Sequence, residues 1–202
     1  MWVVKIGGSV ARDPELLPLW LELLAEHGGG RVIVVPGGGA FADEVRAAQR
    51  SWGFDDRVAH NMAVLAMAQT AMLMQGLNPA LQPALNEHQI RQTLRRLRPA
   101  LWVPLELLRQ TPDELTNWDV TSDSLAVWLA KRLNAERLIV VKSCEVPDEW
   151  QPDWPALADA GVIDRGFAGF ACDAPFPIGL INKAELERMR SLLIEPAQAM
   201  QQ

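Results

Sequence analysis

The sequence predicts an α/β protein in which a mostly parallel sheet is covered by helices on both faces. Three observations point there. Short β-branched runs recur along the chain, longer helical patterns separate them, and the first two of those runs end in glycine clusters. The runs are continuously apolar rather than alternating, as strands buried on both faces should be.

Trp2 to Ile6 is such a run, closed by Gly7-Gly8. A helix is expected from about Pro14 to His27, with Leu16, Leu17, Trp20, Leu21, Leu23 and Leu24 on its apolar side and Gly28-Gly29-Gly30 stopping it. Arg31 to Val35 is the second strand, cut off by Pro36. Helices follow from about Ala40 to Ser51 and from about Asp56 to Gln75, and the second is so apolar that it should be buried. Between Gly76 and Asn117, Pro79, Pro83, Pro99, Pro104 and Pro112 break the pattern into short pieces, with a strand at Ala100–Val103 and loops that shape a substrate site. Thr121 or Ser122 caps a helix to about Leu133, Arg137 to Val141 is a buried strand, and Asp153 to Ala160 is a short helix. Ile178 to Ile181 is the last strand, before a helix from Lys183 to Leu193 and a tail expected to fray.

The 202 residues suit a single domain, and 49% hydrophobic with 22% charged residues is a globular balance. A net charge of -6 argues against nucleic-acid partners, which need clustered cations. The basic group Arg91, Arg95, Arg96 and Arg98 reads as a solvated helix face or, alternatively, as a phosphate or partner contact. Cys144 and Cys172 have no metal-ligand spacing and form no disulfide framework. No apolar run is long enough to span a membrane and the first residues lack a signal peptide's pattern, so a cytoplasmic location is expected.

Ligands of open α/β sheets bind beyond the carboxyl ends of the strands, where Gly7-Gly8-Ser9 and Gly37-Gly38-Gly39 stand. Glycine lets backbone N–H groups approach a phosphate, and a following helix start adds partial positive charge. Neither loop has Walker A or dinucleotide-binding spacing, and each taken alone is equally a tight turn. Lys5 interrupts an apolar strand just before the first loop; it either faces solvent at an edge or requires an anion.

Lys5-Ile6-Gly7-Gly8-Ser9, Val35-Pro36-Gly37-Gly38-Gly39 and Thr121-Ser122-Asp123-Ser124-Leu125-Ala126 occur in the order and rough spacing of the amino acid kinase family, which the chain resembles over nearly its whole length. The resemblance implies a three-layer α/β/α sandwich spanning 1–202, with an acceptor-binding half of about 1–115 and an ATP-binding half of about 116–195. It also implies ATP with Mg²⁺, a small-molecule phosphate acceptor and a homo-oligomer. By the same resemblance Lys5 contacts the transferring phosphoryl group, Gly7, Gly8 and Ser9 hold ATP phosphates, and Gly37, Gly38 and Gly39 straddle acceptor and γ-phosphate. Asp123 organises the catalytic lysines, although an acidic residue in a helix's first turn is favoured by the dipole alone.

Lys142 follows the strand Arg137–Val141 where relatives carry a stretch like Thr-Asp-Val-Asp-Gly-Val; it resembles a nucleotide-contacting lysine of uridylate kinases and is otherwise a strand-end surface lysine. Lys183 lacks the Gly-Gly-Met setting of the second lysine of acetylglutamate kinases and stays outside the catalytic set. His60, in Ala59-His60-Asn61-Met62, resembles an acceptor-phosphate donor, most of all in the small methanofuran-biosynthesis kinases, or else is a plain core histidine. The expected acceptor is therefore [5-(aminomethyl)furan-3-yl]methyl phosphate, with uridylate, isopentenyl phosphate or a carboxylate as alternatives. A non-catalytic ATP-binding or molybdenum-storage role is the alternative of another class. The methionines around His60 are read as packing, and so are the scattered Trp52, Trp102, Trp118, Trp128, Trp150 and Trp154, which alternatively shape an aromatic acceptor pocket.

Overall fold

The computed structural model describes residues 1–146 and 152–194. Trp150 and the expected frayed tail lie outside the described residues. Six strands, β1 (Trp2–Ile6), β2 (Val32–Pro36), β3 (Gln82–Ala84), β4 (Ala100–Trp102), β5 (Arg137–Lys142) and β6 (Ile178–Asn182), form one sheet in the order β3-β4-β2-β1-β5-β6. Every strand pairing is parallel. The helices are α1 (Leu16–His27), α2 (Gly39–Trp52), α3 (Asp56–Leu77), α4 (Glu87–Arg95), α5 (Ser122–Leu133), α6 (Trp154–Asp159), α7 (Phe167–Ala171) and α8 (Leu186–Ile194).

Strand alternation divides the core into two layers. Trp2, Val4, Ile6, Val32, Val34, Ile139 and Val141 pack with Leu17, Trp20, Leu21 and Leu24 of α1 and with Met189 and Leu193 of α8. Val3, Ile33, Val35, Leu138 and Val140 face the other way, against Leu125, Ala126, Leu129 and Leu133 of α5 and Ile90 and Leu94 of α4. Lys5 has the parity of Val3, and Lys142 that of Leu138 and Val140, so both lysines emerge on the face that α5 covers.

One expectation needs correction and two helices were not expected. Helix α3 is not wholly buried: Val64, Met67, Ala71 and Met74 are covered, whereas Leu65, Met72, Leu73 and Leu77 are 43–64% exposed. Its composition is apolar all round, but only one stripe at helical spacing meets the sheet. The proline-broken stretch contains α4, started by the Asn86 side chain accepting from the Gln89 N–H. The chain also forms α7, which no periodicity in five residues could announce. No helix among the described residues is long and apolar enough to cross a membrane.

Candidate active site

The two glycine loops meet backbone to backbone at the carboxyl edge of the sheet. A Cβ on Gly8 would lie 2.9 Å from the Gly39 nitrogen, and one on Gly37 would lie 2.7 Å from the Gly8 nitrogen. Gly39 itself has φ +56°, which other residues adopt only with strain. Gly7 and Gly37 knit the loops to the sheet, their N–H groups donating to the Val141 and Ile6 carbonyls at 3.2 and 3.0 Å. The amide of Gly7 is therefore engaged, and Gly8, Ser9, Gly38 and Gly39 form the open wall.

That wall borders a cleft of about 230 Å³ whose lining also takes in Lys5, Arg12, Arg46, His60, Trp118 and Ser122. Helix α2 starts at the wall, and no side chain caps it. Its first N–H groups and positive dipole end thus stand ready for an anion. Thr70 of α3 steadies the turn by donating to the Gly38 and Ala66 carbonyls at 3.4 and 3.1 Å.

Asp123 joins the two lysines of the strand ends. Its Oδ1 is 2.6 Å from the Lys5 Nζ, and its Oδ2 accepts from the Lys142 Nζ at 2.7 Å. Lys5 is 3% exposed, so the solvent-facing reading of this residue fails. Burial pushes the Lys5 pKa below the ordinary lysine value, and Asp123 only partly offsets that push. Burial also pushes the Asp123 carboxyl up, but the two ammonium groups prevail and hold it at about 2. The result is a fixed trio with a net positive charge, +1 from two ammoniums and one carboxylate. Lys142 does not line the cleft and reaches Asp123 from the β5 side.

Lys183 is turned elsewhere. Its Nζ pairs with Asp13 at 2.8 Å, while its N–H donates to the Lys142 carbonyl at 2.7 Å. His60 is 8% exposed and its Nε2–H donates to the Leu107 carbonyl at 2.8 Å. With Nε2 so engaged, the ring donates to an acceptor through Nδ1 only when doubly protonated. The adjacent Asn61 bonds the Arg109 carbonyl and N–H at 2.8 and 2.7 Å, so both residues pin the segment 107–109 to α3.

Sequence reasoning missed two groups and read Trp118 as packing first and a pocket wall second. Arg12 pairs with Asp43, and Arg46 reaches the same carboxylate at 3.2 Å while lying 4.3 Å over the Trp118 ring. Trp118 in turn donates from Nε1 to Gln49 Oε1 at 2.6 Å, which fixes the ring as a cleft wall. Gly39, Asp43 and Arg46 follow an i, i+4, i+7 spacing that marks one helix face, a signal available in the sequence. Asp164 caps α5 from a distant loop, and nothing local in the sequence announces it.

The profile of the amino acid kinase family matches residues 1–145. Among curated proteins, the [5-(aminomethyl)furan-3-yl]methyl phosphate kinase of Methanocaldococcus jannaschii is 25% identical over 140 residues, 69% of this chain and 64% of that protein. The chain thus spans just under two thirds of that relative's length. The solved uridylate kinase of Archaeoglobus fulgidus superposes with a TM-score of 0.70 at 18% identity, covering 95% of this chain and 94% of its own. An isopentenyl phosphate kinase gives 0.64 at 14% identity and 96% coverage of both chains. At those identities the likeness to the solved structures is one of fold.

Proposed function

Because this chain belongs to the amino acid kinase family, we propose that it is a phosphotransferase moving the γ-phosphoryl group of ATP onto the phosphate of a small organic acceptor. The observation that carries this reading is the buried Asp123 bridge between Lys5 and Lys142, set beside two glycine loops that touch. The acceptor we propose is [5-(aminomethyl)furan-3-yl]methyl phosphate, the compound named for the Methanocaldococcus jannaschii relative.

In this reading an acceptor phosphate oxygen forms the new bond to the γ-phosphorus as the bond to the β,γ-bridging oxygen breaks, and ADP leaves with that electron pair. Lys5 in the cleft lining offsets the charge spread over the transferring group, Lys142 adds positive charge from the β5 side, and Asp123 holds both ammoniums in place. No side chain need act as base, because an acceptor phosphate is already an anionic nucleophile. Gly8, Ser9, Gly38, Gly39 and the uncapped start of α2 cradle phosphates. In the cleft lining Lys5, Arg12 and Arg46 outnumber Asp43 and Asp56, an excess of cation suited to an anionic acceptor. The cleft is lined from both 1–115 and 116–125, consistent with acceptor and nucleotide meeting between two halves.

The residues fit the triphosphate better than they fit its metal. Among the described residues no group of three or more acidic, His or Cys side chains could hold an ion. Asp123 is already committed to two ammoniums. Mg²⁺, which supplies charge neutralisation of the triphosphate, would therefore be carried by phosphate oxygens and water.

ADP formation across a panel of acceptors tests the proposal. Turnover with the furan phosphate above that with uridylate, isopentenyl phosphate or amino acids is the expected result, and Lys5→Ala should lose at least about a hundredfold. A preference for amino acids would refute the acceptor, and Lys5→Ala turnover within about threefold of the parent would refute the role of Lys5. Nucleotide binding with no ADP formation on any acceptor would favour a non-catalytic protein.

A further inference from the structure

The start of α5 presents Asp123 to both lysines, but its own N-cap residue does not secure it. Thr121 stands at the N-cap position and makes no side-chain bond to the helix. Its N–H and hydroxyl donate instead to Asp164 Oδ2, at 2.9 and 2.7 Å. The Ser124 N–H donates to the same oxygen at 3.0 Å, and the Ser124 hydroxyl donates to Oδ1. One carboxylate, 40 to 43 residues further along the chain, thus accepts four bonds from the first turn of the helix.

The loop that carries Asp164 is built against that turn. The Gly166 N–H donates to the Asp119 carbonyl at 2.7 Å. A Cβ on Gly166 would meet that carbonyl at 2.8 Å and the Ser124 hydroxyl at 3.2 Å, so no larger residue lets the loop sit so close. Both sides of the residue preceding α5 are therefore fastened, by Asp164 and by Gly166.

A helix start attracts any anion through its free N–H groups and its dipole. The starts of α2, α3 and α5 border the cleft; α3 is capped by its own Asp55, and the other two are treated differently from each other. That of α2 is left without a side-chain cap, whereas that of α5 is filled by the protein's own carboxylate. Substrate phosphates are thereby directed to α2 and the glycine loops, and α5 is left to aim Asp123.

We infer that Asp164 is a positioning residue of this site, clamping the first turn of α5 so that Asp123 stays between Lys5 and Lys142. Its kinetic consequence rests on the phosphotransfer reading; its structural consequence does not. The charges that act on Lys5 are Asp123 from α5, which it touches, and Lys142 from β5 and Asp164 from the loop after α6. Loosening Asp123 and removing the Asp164 charge both disfavour the Lys5 ammonium, so Lys5 should lose its proton at lower pH.

The chain has four lysines, Lys5, Lys131, Lys142 and Lys183, so side-chain NMR of ε-¹³C-lysine protein resolves each, with Lys5 assigned through Lys5→Met. In Asp164→Asn and Asp164→Ala the Lys5 titration is expected to move to lower pH. Alongside it kcat should fall at least about tenfold while the KM values for nucleotide and acceptor stay within about threefold, the pattern of a misplaced supporting contact. Should both variants fail to fold, Ser124→Ala removes one of the four bonds and is expected to shift Lys5 in the same direction by less. A Lys5 titration that stays at the parent's pH in every folded variant overturns the inference, even if the melting temperature falls. If the parent itself transfers no phosphate, the functional reading fails while the Lys5 titration still decides this one.

Discussion

The Asp123 carboxylate lies 2.6 Å from the Lys5 ammonium, with only 6% and 4% of the two side chains exposed. Removing one member of so buried a pair leaves the other charge uncompensated, at a cost of about 3–5 kcal/mol. In Asp123→Asn the Lys5 ammonium keeps its burial and loses its carboxylate, so its already lowered pKa falls further. Unfolded Lys5 keeps the ordinary value of 10.5, so between the two values the unfolded chain holds more protons and stability rises with pH. The variant should melt roughly 10 °C below the parent near neutral pH. That deficit should shrink as the pH is raised toward the ordinary lysine value, and an equal deficit at all pH values would contradict it.

On the acid side stability again rises with pH, but here it is the charged form that the fold favours. The folded Asp123 carboxyl is held at about 2 against an unfolded value of 3.8. Its contribution is therefore complete above 3.8 and disappears as the pH falls through about 2, a change of about 2 kcal/mol. Urea unfolding of the parent across that window should show the loss, and Asp123→Asn should lack this component. Parallel curves for the two proteins would show that Asp123 is not the group responsible.

Much of this site was legible because its residues break local rules. A lysine inside an apolar strand lacks a local reason, whereas glycines at consecutive strand ends and an aspartate opening a helix have one each taken alone; the structure brings all of them together. The face on which Lys5 emerges was not legible, because an uninterrupted apolar run does not tell one side of the sheet from the other. Asp164 was illegible because its worth lies wholly in four bonds from two residues, Thr121 and Ser124, 40 or more positions away. His60 illustrates the reverse: its setting resembles an acceptor site, yet its Nε2 is committed to the Leu107 carbonyl. Helix α3 was overestimated as buried because composition was weighed before period, and α4 was hidden by the prolines on either side of it.

Gly8→Ala separates the contact of the glycine loops from general backbone strain. The added Cβ meets the Gly39 nitrogen at 2.9 Å and its Cα at 3.0 Å, backbone atoms that yield only if the loops part. A shift of that kind should lower kcat/KM by about a hundredfold. Gly53→Ala is the control, because Gly53 has φ +70° with nothing within 4 Å of a Cβ. It should cost about 1 kcal/mol of stability and leave kinetics near the parent's. Equal kinetic losses in both variants would mean that the contact between the loops has no special part in turnover.

Arg46 tests whether the rim of the cleft reads the acceptor. Its guanidinium is placed twice, by Asp43 at 3.2 Å and by the Trp118 face at 4.3 Å, so a bound anion meets a donor already oriented. Arg46→Ala should raise the acceptor KM by about 10- to 100-fold while kcat and the nucleotide KM stay within about threefold. Arg46→Lys should recover only part of the loss, because an ammonium neither forks onto a phosphate nor stacks flat on Trp118. Trp118→Leu, which keeps the charge but removes the face beneath it, should fall between the two. If instead the nucleotide KM rises and the acceptor KM holds, Arg46 serves the donor, and the cleft between α2 and α3 is not where the acceptor binds.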